Sequence, residues 1–290
     1  MAGQVWRSWN DDYGSSMGAA LAYYTTFSLA PLLLIVMSVA GLVFGEAAAR
    51  GEIEAQLVSL MGDQGASAVQ GLLVNVHDPS KGVAATLLGI VLLLVGAATV
   101  FGELQNALDR IWRVPTERRV TGWVTLVRSR LLSFGMILAL GFLLTVSLVI
   151  SILLEAAVEF GRRLGPVFGN WSAIVEVGNA VVGFLLAAIV FALIFKIMPR
   201  VRVQWKDVWI GALFTAALFS LGKMLIGLYI GRSGVASAFG AAGSLVVVLL
   251  WVYWSAQILL IGAEFTWIYA NRFGSRRAEN VLPHRGGPRD

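Results

Sequence analysis

The chain reads as an all-α polytopic membrane protein: a bundle of six transmembrane helices with both termini on the cytoplasmic side. Three observations lead there. Six apolar runs, at 18–44, 82–101, 131–154, 174–197, 207–230 and 245–270, are each long enough to cross a bilayer, which takes about 20 residues for about 30 Å of hydrocarbon. The composition agrees, with 58% hydrophobic and 13% charged residues. The basic residues alternate between rich and poor along the connecting segments. Lipid offers no partner to open backbone groups, so helices are the expected answer.

The flanks set the orientation. Arg7 precedes the first run. Arg110, Arg113, Arg118, Arg119, Arg128 and Arg130 follow the second. Lys196, Arg200, Arg202 and Lys206 follow the fourth, and Arg272, Arg276, Arg277, Arg285 and Arg289 follow the sixth. The opposite side carries only Arg50, Lys81, Arg162, Arg163 and Arg232, with Lys223 inside a run. The rich side is therefore cytoplasmic. The first run is too long for a cleavable signal, and Asp11 and Asp12 stand where its basic region would be. Residues 1–272 are expected to form the membrane domain. Residues 273–290 are expected to be a basic, disordered cytoplasmic tail.

The chain has no cysteine, which excludes disulfides and thiolate metal sites. Its net charge of +5 sits in cytoplasmic loops. There it points to anionic lipid headgroups, at about 1 kcal/mol of attraction per basic residue. Membrane lipids are the expected partners, and nucleic acid is not.

The segment 46–81 is the longest external connection. Ile53, Leu57, Leu60 and Met61 recur at helical spacing, as do Val69, Leu72, Leu73 and Val76. It reads as one or two amphipathic helices, lying at the outer interface or capping the bundle. Packing as a hairpin on the span ends is the alternative. Asn75-Val76-His77-Asp78-Pro79 then interrupts it. Residues 103–112 continue the second span as a helix, with Leu104, Leu108, Ile111 and Trp112 on one stripe. Arg113-Val114-Pro115 ends it, because a residue before proline avoids helical geometry. Residues 231–243 are small and flexible, either a tight turn or a re-entrant segment. Gly227 and Gly231 form a GxxxG pattern, the one signal for a homo-oligomer. There is no internal repeat.

Three motifs carry a resemblance. They are Leu21-Ala22-Tyr23-Tyr24-Thr25-Thr26-Phe27-Ser28-Leu29-Ala30-Pro31, the run Phe101–Trp112 (FGELQNALDRIW), and Leu249-Leu250-Trp251-Val252-Tyr253 with Leu260-Ile261-Gly262-Ala263-Glu264. In this order they resemble the YihY/BrkB family of bacterial inner-membrane proteins, over about residues 6–270. Phe239 departs from the pattern, which more often has Tyr there. The resemblance implies an inner-membrane location and an envelope association. The family carries a virulence-factor label linked to serum resistance, and an older ribonuclease BN label regarded as a misassignment. Transport of lipids or other amphiphiles has been proposed for its members.

Chemistry is sought among polar residues inside spans, where an ionisable group costs roughly 2.5–3.5 kcal/mol on insertion scales. Tyr24, Ser28 and Pro31 share a face of the first span, and Pro31 frees the carbonyl of Phe27. Ser147, Ser151 and Glu155 share a face of the third, and Glu176 and Asn179 one of the fourth. In the fifth, Ser220, Lys223 and Gly227 align. In the sixth, Tyr253, Gln257, Leu260 and Glu264 do. The candidate intramembrane site is Tyr24, Ser28, Pro31, Lys223, Tyr253, Gln257 and Glu264. Lys223 would hold an anionic headgroup or pair with an acid. A candidate cytoplasmic mouth is Glu103, Asn106, Asp109 and Arg110, where Glu103 and Glu264 would hold a cation or proton. The competing reading is packing alone: hydroxyls bonded to their own helix, a snorkelling Lys223, and acids paired with Arg110 or Arg272. Trp251, Trp254, Trp267 and Tyr269 read as interfacial anchors.

The chain has two histidines, His77 and His284. They form no HxH or HExxH pattern, so metal-dependent RNA cleavage lacks its ligands. No GxxxxGK[ST] loop is present to bind ATP. No enzyme, metal or cofactor is expected. Two functions follow: a translocation factor for an amphiphilic or anionic envelope molecule, or a scaffold or partner subunit of an envelope assembly.

Overall fold

The computed structural model describes residues 1–44, 50–51, 53–55, 57–58, 63, 65–70, 96, 99–115, 171–201, 203–234, 239 and 242–277. Among these the regular structure is entirely helical. Five helices have defined ends: α1 Ala2–Asp11, α2 Gly14–Phe44, α3 Trp171–Ile197, α4 Trp205–Ser233 and α5 Gly243–Arg272. Ala180–Ile197 within α3, α4 and α5 are each long and apolar enough to cross a membrane. The run 131–154 with Ser147 and Ser151, nearly all of 82–101, Glu155, both histidines and residues 278–290 lie outside the described residues. So do the side chains of Pro31, Glu176 and Asn179.

The helices begin two to four residues before the apolar runs they contain. The added residues are small or amphipathic, such as Gly14-Ser15-Ser16 and Trp205-Lys206. Hydropathy leaves them out, but their backbones keep the helical bonding. The chain divides into two compact units, Met1–Ile111 with Leu218–Glu264, and Trp112–Ala217 with Phe265–Asp290.

The first unit opens with a helix that hydropathy does not announce. α1 buries Val5 and Ser8, one side of a polar ten-residue stretch. The Asp12 N–H bonds the Ser8 carbonyl at 2.9 Å and the Tyr13 N–H bonds that of Asn10 at 3.1 Å. Tyr13 takes φ 59°, a left-handed conformation that costs an L-residue about 1–2 kcal/mol, and α2 starts at the next residue. Described residues between 50 and 70 pack within this unit. Leu57, Ala66, Ala68 and Val69 are buried with Ile226 and Ile230 of α4 and Val247 and Val248 of α5, against Leu29 and Trp251. Residues 99–111 are helical and stop at the Trp112–Arg113 turn, where Arg113 takes φ 51°. α4 ends on Gly234 at φ 64°, the conformation glycine supplies freely after a helix.

In the second unit, the Lys196 ammonium caps the end of α3. It donates to the Val203 carbonyl at 2.5 Å and sits 5.2 Å from the Trp205 ring centre, a cation at a helix C-terminus as the macrodipole favours. Phe214 of α4 stacks on Phe265 of α5 at 4.0 Å. Asp207, buried in the first turn of α4, accepts the Ser275 N–H at 3.1 Å and the Ser275 hydroxyl at 2.6 Å. Residues 273–277, assigned to the tail by sequence, are thus anchored to α4.

Glycines mark where helices touch. A Cβ at Gly211 would collide with Thr266, and one at Gly222 with Ile258 and Trp254. In both units α4 and α5 therefore run antiparallel and close together. A Cβ at Gly227 would meet nothing within 4 Å among the described residues.

Gly211→Ala should lower stability by about 1–3 kcal/mol through overpacking. Thr266 is fully buried and β-branched, so it cannot swing clear. Gly227→Ala should be neutral, or stabilising by up to about 1 kcal/mol through helix propensity. Unfolding of both variants in one detergent checks the contrast. Asp207→Ala should speed tryptic cleavage after Arg276 and Arg277 several-fold, because the turn at 273–277 loses both of its hydrogen bonds to Asp207.

Candidate functional site

α5 presents the stripe read from its sequence to the interior. Gln257, Leu260 and Glu264 are buried, Tyr253 is half-buried, and Trp254, beside the stripe, is 38% exposed. A polar face on a membrane helix turns inward because lipid cannot solvate it.

Gln257 ties three elements together. The Trp9 indole N–H donates to its Oε1 at 3.0 Å. Its Nε2 donates to the carbonyls of Gly14 and Ser15 at 3.3 and 3.4 Å. Gly18 makes this possible, since a Cβ there would strike the Gln257 amide. Both functions of one carboxamide are used, joining α1 and the start of α2 to the middle of α5.

The other candidates divide. Ser28 is buried, and its hydroxyl donates to the Thr25 carbonyl at 3.0 Å. Thr26 donates to Ala22 at 2.7 Å. Both hydroxyls bond their own helix, as does Thr215 to Gly211 at 2.7 Å. Pro31 lies within α2. Tyr24 and Lys223 are half-buried. Glu264 is wholly buried, at 0% exposure, one of the largest enclosed side chains in the described chain. At the candidate mouth, Asp109 is buried, Glu103 half-buried, and Asn106 and Arg110 exposed. Arg110 turns outward, with its guanidinium 6.0 Å from the Tyr13 ring centre. The site thus holds Gln257, bonded between helices, and the enclosed acids Glu264 and Asp109. Among the described residues, no three His, Asp or Glu are grouped so as to hold a metal.

Trp9, Gly18 and Tyr13 escape the sequence reading. A signal was present: Val5, Ser8 and Trp9 share one side of a short helix before the first apolar run.

Comparisons with known proteins are consistent among themselves. The family model described as Virulence factor BrkB matches residues 5–285. A UPF0761 membrane protein of Alteromonas mediterranea is 25% identical over 263 residues, 90% of this chain and 84% of that protein. A UPF0761 membrane protein of Pseudomonas paraeruginosa is 29% identical over 87% of this chain and 58% of its own length. One of Ralstonia nicotianae is 29% identical over 87% and 55%. The chain therefore spans little more than half the length of the last two. No solved structure matches it.

A double-mutant cycle tests the Gln257 junction. Trp9→Phe and Gln257→Leu should each lower stability by about 1–3 kcal/mol, with a coupling energy near 1 kcal/mol. Denaturant unfolding of the four proteins measures it, and purely additive losses would show that the indole and the amide do not interact.

Proposed function

The chain belongs to the BrkB virulence-factor family of membrane proteins, and from that premise we propose that it translocates an amphiphilic, anionic envelope molecule, a lipid among the candidates. The working form is the six-span, multi-pass protein of the bacterial cytoplasmic membrane, with both termini inside and no ATPase of its own. One observation carries the proposal. Glu264 is fully enclosed on a helix long and apolar enough to span a membrane. Burying an acid there costs several kcal/mol, and such groups in spans mark ion or substrate pathways.

Roles follow from the chemistry. Lys223, half-buried on α4, supplies a cation for an anionic headgroup. Glu264, with Asp109 and Glu103 towards the inner mouth, takes and releases a proton or cation and so couples movement to a gradient. Tyr24, Ser28, Pro31, Tyr253 and Gln257 complete the polar lining. No catalytic step is involved.

The scaffold reading has its own support. Gln257 is wholly occupied in joining helices, and Ser28, Thr26 and Thr215 bond their own backbones. On that reading the polar groups are helix glue, and the basic loops dock an envelope partner.

Lipid movement in proteoliposomes separates the two. With a fluorescent anionic phospholipid and an external quencher, Glu264→Gln and Lys223→Gln should each slow translocation at least about tenfold, about 1.4 kcal/mol in the barrier, at unchanged protein yield. Wild-type translocation that both variants reproduce, or none from the wild type, would leave the scaffold reading standing.

A further inference from the structure

We propose that α1 is an interfacial helix, lying in the phospholipid headgroup layer with Trp6 as its lipid-facing anchor. The argument starts from the periodicity of its ten residues. Ala2, Val5, Trp6 and Trp9 recur at i, i+3, i+4 and i+7 and form one apolar arc. The protein covers only half of it. Val5 is buried and Trp9 bonds Gln257, whereas Trp6 is 63% exposed. Trp6 stacks on Trp9 at 4.9 Å between ring centres, so the uncovered half lies directly beside the docked half. The opposite arc, Gln4, Arg7, Asn10 and Asp11, is exposed and polar.

A helix with one flank on its own protein, one apolar flank open and one polar arc fits a boundary between oil and water. The neighbouring side chains agree. Tyr13, at the turn into α2, is 67% exposed with the exposed Arg110 over its ring. Tyr23 and Phe27 leave α2 exposed one turn apart, with ring centres 4.8 Å from each other. Aromatic side chains with a polar edge collect at headgroup depth. Trp6 and Tyr13 carry N–H and O–H donors for lipid carbonyl and phosphate oxygens, and Arg110 a cation for phosphate. Net charge does not drive the docking, because Asp11 and Asp12 outweigh Arg7 on this segment. The rings carry it, so zwitterionic lipid suffices. The short polar connection to α2, whose later residues enter the first apolar run, holds α1 against the same leaflet.

The chain has no cysteine, so a single substitution gives a single labelling position. Trp6→Cys and Asn10→Cys are made separately in the full chain, spin-labelled, and placed in phosphatidylcholine nanodiscs. Relaxation by oxygen, which partitions into lipid, is compared with relaxation by a water-soluble nickel chelate. The oxygen-to-chelate ratio at position 6 should exceed that at position 10 several-fold. Adding anionic lipid should leave it unchanged. Equal ratios would place α1 in water and overturn the proposal. A label at position 6 that is immobilised and closed to both reagents would overturn it too, by showing that protein, a second copy or another partner, covers Trp6.

Discussion

Helices surrounded by lipid gain little from burying apolar surface against one another, because the tails are as apolar as leucine. What holds such helices is close approach, and here close approach is organised around α5. Its side chains supply the bulk and its neighbours supply the space. Gly18 of α2 admits Gln257, Gly222 of α4 admits Ile258 and Trp254, and Gly211 of α4 admits Thr266. In each pair the large residue stands on α5 and the glycine on the partner. The packing, and the hydrogen bonds of Gln257, follow from that asymmetry.

The polar groups in the spans meet two physical fates. Where a donor or acceptor is near, it is spent locally: Thr26 on Ala22, Ser28 on Thr25, Gln257 on α1 and α2. Those groups are satisfied within the protein, and their presence requires no substrate. The acids Glu264 and Asp109 are buried as well, at a desolvation cost that a leucine in the same place would not carry.

The helices were legible because length and hydropathy are local. Runs 174–197, 207–230 and 245–270 lie inside α3, α4 and α5, and the i, i+4, i+7 stripe found the inward face of α5. The apolar spacing of 46–81 marked Leu57 and Val69, both of which are buried. Partners were not legible. Nothing in the vicinity of Gln257 announces that its amide belongs to Trp9, Gly14 and Ser15, at the far end of the chain. α1 was missed for a related reason. It is short and polar, and its one buried side becomes meaningful only when α5 is there to receive Trp9.

That separation has a consequence in time. Trp9 and Gln257 are 248 positions apart. At synthesis rates of about 5–20 residues per second, roughly 12–50 s pass between the emergence of one and of the other. Through that interval α1 and the start of α2 exist without their receptor, their glycine notch and indole donor open to lipid, water or the insertion machinery. α5 completes the docking of α1, so the nascent protein must keep its N-terminal elbow uncommitted until α5 has been made.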